Sequence, residues 1–297
     1  MGDVLAGIHA TWEFDTDSVL IRFERGIRAP KLFQALRERR IPHEALESVT
    51  LSPGKRGTVV LHAVPRPGAD PLMEAAAGQL KEGCDPYRLV LPAEREMLAE
   101  YYADELRSSL VPYASKPADR HLVAAPEAPL NFKAYDGRAV FDGRQVSFRW
   151  FWTGASSEKW KAGDQTFPVA ALSGVEWRSP EVFDGHLRLL RRETEQPDGG
   201  GHGGAGPADR DPASVVFGLG YGPVHESLPF AAAVLAAVRG TGGGSPSIPH
   251  QLVTVASARR DPADIAERIR HLGDLHEAGL VTDDEFTAKK AELLAEL

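Results

Sequence analysis

An internal duplication constrains the fold of this chain more than any other feature of its sequence. FDTDSVLIRF at 14–23 matches FDGRQVSFRW at 141–150, and IPHEALESV at 41–49 matches FPVAALSGV at 167–175. Two further pairs follow in the same order: GTVVLHAV with GHLRLLRR, and the Asp-Pro of DPYRLVL with that of DPASVVF. Four matches in one order and at a nearly constant offset predict two copies of one domain.

Each copy combines apolar strands with a closing helix. VLIRF at 19–23 and VSFRW at 146–150 alternate or run apolar, as half-buried strands do. In the first copy, Leu98, Tyr102 and Leu106 recur at helical spacing, with charged residues opposite them. The expected fold class is therefore α+β, with the strands first and the helix last in each copy.

The closing helix of the second copy is predicted over 228–239, with Ser227 as its N-cap and Pro229 in its first turn. This segment is apolar on almost every side before Arg239. Such a helix must be covered on more than one side. Its own sheet provides one cover, and the other copy, the C-terminal segment or a second chain provides the rest.

A glycine run before that helix raises the question of a nucleotide site. VVFGLGYGP at 215–223 reads as a strand followed by a phosphate loop. The first copy has PAER at the same corner, however, and nothing after the helix supplies the further strand of a parallel βαβ unit. The glycines are therefore predicted to let the chain turn, and an enzyme that uses the 218–223 loop is kept as an alternative.

Composition limits the class of protein. The 297 residues are 42% hydrophobic, which supports real cores, and the net charge of −8 argues against a chain-wide affinity for nucleic acid or anionic membrane. The lone cysteine, Cys84, fits a reducing compartment. The N-terminus lacks a secretory pattern and no apolar run is long enough for a membrane span. These observations predict a cytoplasmic protein.

The blocks IPHEALESV and FPVAALSGVEW, together with KAYDGRAVFDG at 133–143, resemble bacterial PH-like domains. More closely, they resemble a family of duplicated domains of unknown function from high-GC bacteria, of the actinobacterial type. The resemblance implies a strongly bent antiparallel sheet and one C-terminal helix in each copy, and it carries no catalytic residues. The expected domains are 4–111 and 130–240, with a linker at 112–129 and a flexible glycine-rich insertion at 198–208.

The C-terminal segment 261–297 reads as a helical hairpin after a linker at 241–260. Thr282 and Glu285 form a capping box for its second helix. LHEAGLVTDDEF at 275–286 resembles the SHOCT (short C-terminal) domain. A hairpin of this size seldom folds alone, so it is expected to self-associate or to dock on a partner. Its predicted contact residues are apolar: Ile265, Ile269, Leu272, Phe286, Leu293 and Leu294.

Two further segments are candidate binding surfaces. In RWFWTGASSEKWKAGD, Trp150 and Trp152 share one face if the strand runs through 146–152, and Trp160 lies across a turn. Trp152, Trp160 and Lys161, with Lys159 beside them, suit a peptide or an acidic partner, whereas the alternative is that the tryptophans are core. The stretch 22–40 carries an excess of positive charge that suits anionic lipid or phosphate, with a solvated face as its alternative. The candidate anion-binding residues are Arg25, Arg28, Lys31, Arg37, Arg39 and Arg40.

Catalysis finds little support in the sequence. The histidines are scattered, and His271 and His276 are too far apart in sequence to share a helix face as metal ligands would. We expect no catalytic residue, no metal and no cofactor, and nucleic acid is an unlikely partner because no aromatic residues alternate with the basic ones. The expected function is a non-enzymatic cytosolic adaptor or scaffold, with the inner membrane surface as an alternative place of action.

Overall fold

The computed structural model describes residues 3–192, 206–218 and 220–242. These residues lie in one compact unit. The described fold is α+β, as expected, and every strand pair in these ranges is antiparallel. The predicted hairpin at 261–297 and most of the predicted insertion at 198–208 lie outside the described residues.

The first repeat contains two sheets and three helices. Its four-stranded sheet has the order β1 (Asp3–Ala6), β2 (Ala10–Phe14), β3 (Ser18–Phe23) and β4 (Glu38–Pro42). Its three-stranded sheet has the order β5 (Leu46–Pro53), β6 (Thr58–Pro65) and β7 (Arg88–Pro92). The helices are α1 (Lys31–Leu36) after β3, α2 (Pro71–Ala76) after β6, and the closing α3 (Glu96–Ser109).

The second repeat has the same two sheets and a closing helix. Its four-stranded sheet contains β8 (Leu130–Lys133), β9 (Gly137–Phe141), β10 (Gln145–Trp150) and β11 (Gln165–Pro168). Its three-stranded sheet contains β12 (Leu172–Arg178), β13 (His186–Arg191) and β14 (Ser214–Val216). A short helix, α4 (Ser157–Ala162), follows β10, and α5 (Val224–Gly242) closes the repeat.

The structure confirms the duplication in detail. The matched blocks form β3 and β10, which start and end at matched positions, and a 3-10 turn follows β4 and β11 alike, at His43–Ala45 and Val169–Ala171. Both following strands then carry a register shift at the same place, between Leu46 and Ser48 and between Leu172 and Gly174. The repeats therefore share even their local irregularities.

Each repeat has two separate sheets where one bent sheet was expected. The break falls at a proline, because β4 ends at Pro42 and β11 ends at Pro168. A proline lacks the N–H that would continue a strand ladder. The 3-10 turn that follows redirects the chain, and the next strand starts the second sheet.

The closing helix α5 is covered by both repeats. Phe230, Ala231, Ala232 and Val234 are buried. Besides the strand β12 of its own repeat, α5 packs against α1 and α2 of the first repeat. Leu32 and Leu72 of those helices belong to the same apolar core as α5, together with Ala75 and Ala76. The sequence left open which part of the molecule covers the rest of this helix, and the structure shows that the first repeat does so.

Polar contacts reinforce this interface between the repeats. The side-chain amide of Gln79 donates to the carbonyl oxygen of Trp177 at 2.9 Å, and its oxygen accepts from the amide of Ser179 at 2.9 Å. Arg239 at the end of α5 pairs with Glu74 of α2 at 3.0 Å. A hydrogen bond with His121 and the charge of Arg239 lower the pKa of the Glu74 carboxyl. The two repeats are therefore joined by specific contacts over α2 and α5.

The predicted start of α5 is wrong. The helix begins at Val224, so Ser227 lies inside it and is buried, and Pro229 is an interior residue. The carbonyl oxygen of Pro223 accepts hydrogen bonds from the amides of Glu226 and Ser227, which fixes the earlier first turn. The Ser227 hydroxyl instead joins the helix to the sheet, because it accepts from the Trp177 indole at 3.0 Å.

Segment 112–129, predicted as a linker, packs against the loop that leads into α2. The carbonyl oxygen of Ala69 accepts from the amides of Leu122 and Val123, and the Arg66 guanidinium donates to the carbonyls of Lys116 and Pro117. The connection between the repeats is therefore held on the same first-repeat loop that positions α2.

Candidate interaction surface

Two tryptophans form a pair just after strand β10. The strand ends at Trp150, which is buried, so the expectation that Trp150 and Trp152 share a strand face is wrong. Trp152 lies in the turn that follows, and Trp160 lies on α4, whose N-cap is Ser156. The ring centroids of Trp152 and Trp160 are 5.4 Å apart at an interplanar angle of 81°. This edge-to-face geometry is favourable for aromatic pairs.

A buried ion pair fixes this turn to the core. Lys159 Nζ donates to the carboxylate of Asp136, and both side chains are buried. The other carboxylate oxygen of Asp136 accepts from the amide of Val216 at 2.9 Å. Lys159 also lies 5.0 Å from the centroid of the Trp150 ring. The pair therefore ties together α4, β10, the β8–β9 turn and β14.

Burial dominates the electrostatics of this pair. It lowers the pKa of Lys159 and raises the pKa of Asp136, while the attraction between the two charges opposes both shifts. The prediction that Lys159 flanks the tryptophans as a surface charge is therefore wrong, because its side chain points into the core. Lys161, by contrast, is exposed at the end of α4.

Two exposed tyrosines lie near this turn. The rings of Tyr135 and Tyr221 lie 6.2 Å apart at 76°. The turn after β10 contacts the same region, because the Phe151 amide donates to the carbonyl of Asp136 and a Cβ at Gly154 would lie 2.2 Å from the carbonyl oxygen of Tyr135. We call Tyr135, Trp152, Trp160 and Tyr221 the aromatic cluster.

The glycine run shapes this cluster. A Cβ at Gly218 would come within 3.0 Å of the Tyr135 side chain, and Gly222, at a φ of 61°, lies where a Cβ would overlap the Phe217 ring. The strand before the run, β14, pairs antiparallel with β13, so the segment is not part of a parallel βαβ unit, as predicted. The glycines therefore allow close packing beside Tyr135 and Phe217.

The aromatic cluster is open to solvent. Tyr135 is 51% exposed, Trp152 48% and Tyr221 43%. Trp160 is half-buried against the apolar core formed mainly by the second repeat, which we call the second core. Aromatic side chains of this kind are enriched at interface hot spots. Tyr135 and Tyr221 were missed by the sequence analysis. The glycines of the run at 218–222 could have indicated them, because a glycine often marks a position where another group approaches the backbone closely.

The basic stretch of the first repeat divides into inward and outward residues. Arg39 was predicted to bind anions, and this is wrong: it is buried and pairs with Asp70 at 2.7 Å. Asp70 also accepts from the Tyr87 hydroxyl and caps α2 through the Leu72 amide. Because Asp70 neutralises Arg39 inside the core, this arginine fixes α2 and is not available to a ligand.

The remaining basic residues are exposed. Arg40 pairs with Asp15 at 2.6 Å, which reduces its positive field. Arg37 lies at the end of α1, where its backbone has a φ of 60°. Arg25, Arg28 and Lys31 lie on the loop from β3 to α1 and at the start of that helix.

A cleft of about 500 Å³ opens in the first repeat beside His43 and the end of α3. Its walls carry the carboxylates of Asp3, Asp15 and Glu105. Burial lowers the pKa of His43, which favours its neutral form. Carboxylates repel phosphate, so the cleft does not suit the anionic ligand that the basic stretch suggested.

Three observations concern chemistry elsewhere in the molecule. Burial raises the pKa of the Cys84 thiol, which disfavours the reactive thiolate. Within 3–192, 206–218 and 220–242, no group of three or more His, Cys, Asp or Glu side chains could hold a metal ion. No helix in the described part of the chain is long and apolar enough to cross a membrane. The predicted contact residues of the hairpin, from Ile265 to Leu294, lie outside the described residues.

The fold and its surface define a duplicated α+β protein whose two repeats share an interface. The model of the family described as Domain of unknown function (DUF4429) matches residues 12–107 and again residues 139–235. The chain therefore belongs to this family, with one copy in each repeat. Residues 267–294 match the Short C-terminal domain, SHOCT, as the sequence predicted. No curated protein matches the chain.

Proposed function

We propose that the protein is a non-enzymatic interaction module in which two PH-like repeats present a binding surface for a protein partner. The PH-like assignment is supported by the order of elements, because each repeat has a four-stranded sheet, a three-stranded sheet and then a closing helix. The exposed aromatic cluster is the observation that carries the proposed function.

Several features suit this cluster to binding. Tyr and Trp supply large contact areas at a low cost in side-chain entropy. The turn that carries Trp152 is fixed by α4 and by the buried pair of Asp136 and Lys159, so little ordering is needed on binding. Lys161 adds a positive charge beside the cluster. We therefore propose a partner segment with an apolar anchor and nearby acidic residues.

The first prediction concerns the aromatic cluster. We expect the joint substitution Trp152→Ala and Tyr221→Ala to weaken partner binding by at least about thirtyfold, since truncation of a single hot-spot residue costs about 2 kcal/mol or more. The partner is captured from the native cell by crosslinking to the full-length chain, and its affinity is then measured by calorimetry.

Tyr101→Ala is the matched control, because Tyr101 is an exposed tyrosine on α3, in the first repeat. It should leave the affinity unchanged. Equal binding by the double variant and by wild type would remove the aromatic cluster from the proposed function.

The second prediction concerns the Short C-terminal domain, for which we propose self-association or partner docking. The proposal rests on the apolar positions of the sequence, among them Ile269 and Leu294, and on the small size of the segment. Removal of residues 250–297 should lower the number of chains per particle measured by light scattering, or release the partner. The circular dichroism of the repeats should be retained. A monomeric full-length protein whose partner binding survives the truncation would contradict this role.

A further inference from the structure

The loop between β3 and α1 presents an apolar side chain to solvent among basic ones. Ile27 has a relative exposure of 105%, so its side chain is as accessible as in an extended peptide. Arg25 and Arg28 on either side are exposed, as is Lys31 at the start of α1, and these three cations outnumber the one exposed carboxylate of the loop, that of Glu24. None of these three cations has an ion-pair partner within the described ranges.

The local structure imposes this exposure. The ends of the loop are anchored by Phe23 and Phe33, whose rings stack with centroids 4.6 Å apart. The side-chain amide of Gln34, on α1, donates to two carbonyl oxygens of the loop, that of Gly26 at 2.9 Å and that of Ala29 at 3.1 Å. The Ala29 amide also donates to the Gly26 carbonyl at 3.0 Å. Ile27 therefore lies at the tip of a turn that these hydrogen bonds hold in place.

A second exposed apolar side chain differs from Ile27 in the charges of its neighbours. Phe183 is 87% exposed in the loop between β12 and β13, with the exposed carboxylate of Asp184 next to it and Glu181, which pairs with Lys81 at 2.8 Å, two residues before it. Carboxylates beside an apolar tip are repelled by an anionic surface, whereas cations beside one are attracted to it. Of these two loops, the Ile27 loop is the one complementary to an anionic membrane.

We propose that loop 24–31 docks on an anionic lipid bilayer, with Ile27 inserted at the boundary between the headgroups and the acyl chains. Arg25, Arg28 and Lys31 contact the headgroup phosphates, because apolar insertion and electrostatic attraction add in interfacial binding. This site belongs to the first repeat and uses none of the residues of the aromatic cluster in the second. It adds a membrane-surface activity to the proposed protein-binding function.

Vesicle flotation of the full-length protein tests the proposal. Vesicles of phosphatidylcholine mixed with phosphatidylglycerol should carry the protein, vesicles of phosphatidylcholine alone should not, and added salt should weaken the binding. Ile27→Ser should reduce binding to the anionic vesicles about tenfold. Arg25→Gln and Arg28→Gln should each reduce it about fivefold.

Two matched controls separate this loop from the rest of the surface. Phe183→Ser removes another exposed apolar side chain, and Arg40→Gln removes an exposed arginine outside the loop, so both should leave flotation unchanged. The absence of binding to anionic vesicles overturns the proposal, as does binding that the loop substitutions leave intact. Binding that depends on the arginines but not on Ile27 overturns the insertion, and circular dichroism checks that every variant is folded.

Discussion

Substitution of Lys159→Met lowers the free energy of unfolding by about 3–5 kcal/mol, the usual cost of leaving one member of a buried ion pair without its partner. Lys159 and Asp136 are both buried, so water cannot replace the lost contact. The substitution also removes the cation beside the Trp150 ring. Urea unfolding followed by tryptophan fluorescence measures the change.

The loss depends on pH in a defined direction. Burial already raises the pKa of Asp136, and the attraction of Lys159 is the largest effect that opposes this rise. Without Lys159 the pKa rises further, so the folded variant binds a proton more readily than the unfolded chain does. Stability of the variant then falls as pH rises from the unfolded-state pKa through the folded-state pKa. The deficit relative to wild type should therefore be larger at neutral pH than in mild acid.

Lys161→Met is the control, because it makes the same chemical change on the same helix at an exposed position. It should alter the free energy of unfolding by no more than about 0.5 kcal/mol. The joint substitution Asp136→Asn and Lys159→Met should recover part of the loss, since no charge remains buried. Equal stability of the two single variants would show that the pair does not stabilise the fold.

Local patterns in the sequence predicted much of the repeat structure. The matched blocks identify the duplication and the β3 and β10 strands, because these features depend on neighbouring residues. The α+β class and the antiparallel corner at the glycine run follow from the same comparison of copies. Matched blocks in one order imply similar local geometry.

Long-range contacts explain what was missed. Arg39 was assigned to a surface patch by counting charges, although the strand ERRIP alternates and places Arg39 on the inward face with Ile41. The partner that makes this burial tolerable, Asp70, is remote in sequence. The same distance hid the contact of α2 with α5 and the meeting of Tyr135 with Tyr221. A local pattern does not specify which remote residue completes a pair.

The contact between the repeats leads to the last prediction, which concerns Leu72. This leucine belongs to α2 of the first repeat, but it is fully buried in the core that is formed mainly by the second repeat. Leu72→Ala should lower the free energy of unfolding by about 2–5 kcal/mol, because it removes buried methyl groups and leaves a cavity. Leu98→Ala, the same change at a 42% exposed position on α3, should cost much less.

The location of the damage distinguishes a shared core from two independent domains. α2 packs on α5 and β12 of the second repeat, so Leu72→Ala should speed amide hydrogen exchange in these two elements although the substitution lies in the first repeat. Exchange in the four-stranded sheet of the first repeat should change less, since its own core contains Trp12, Ile21 and Leu61. Unaltered exchange in α5 and β12 would mean that each repeat folds independently, and α2 would then be an external support and not a part of the second core.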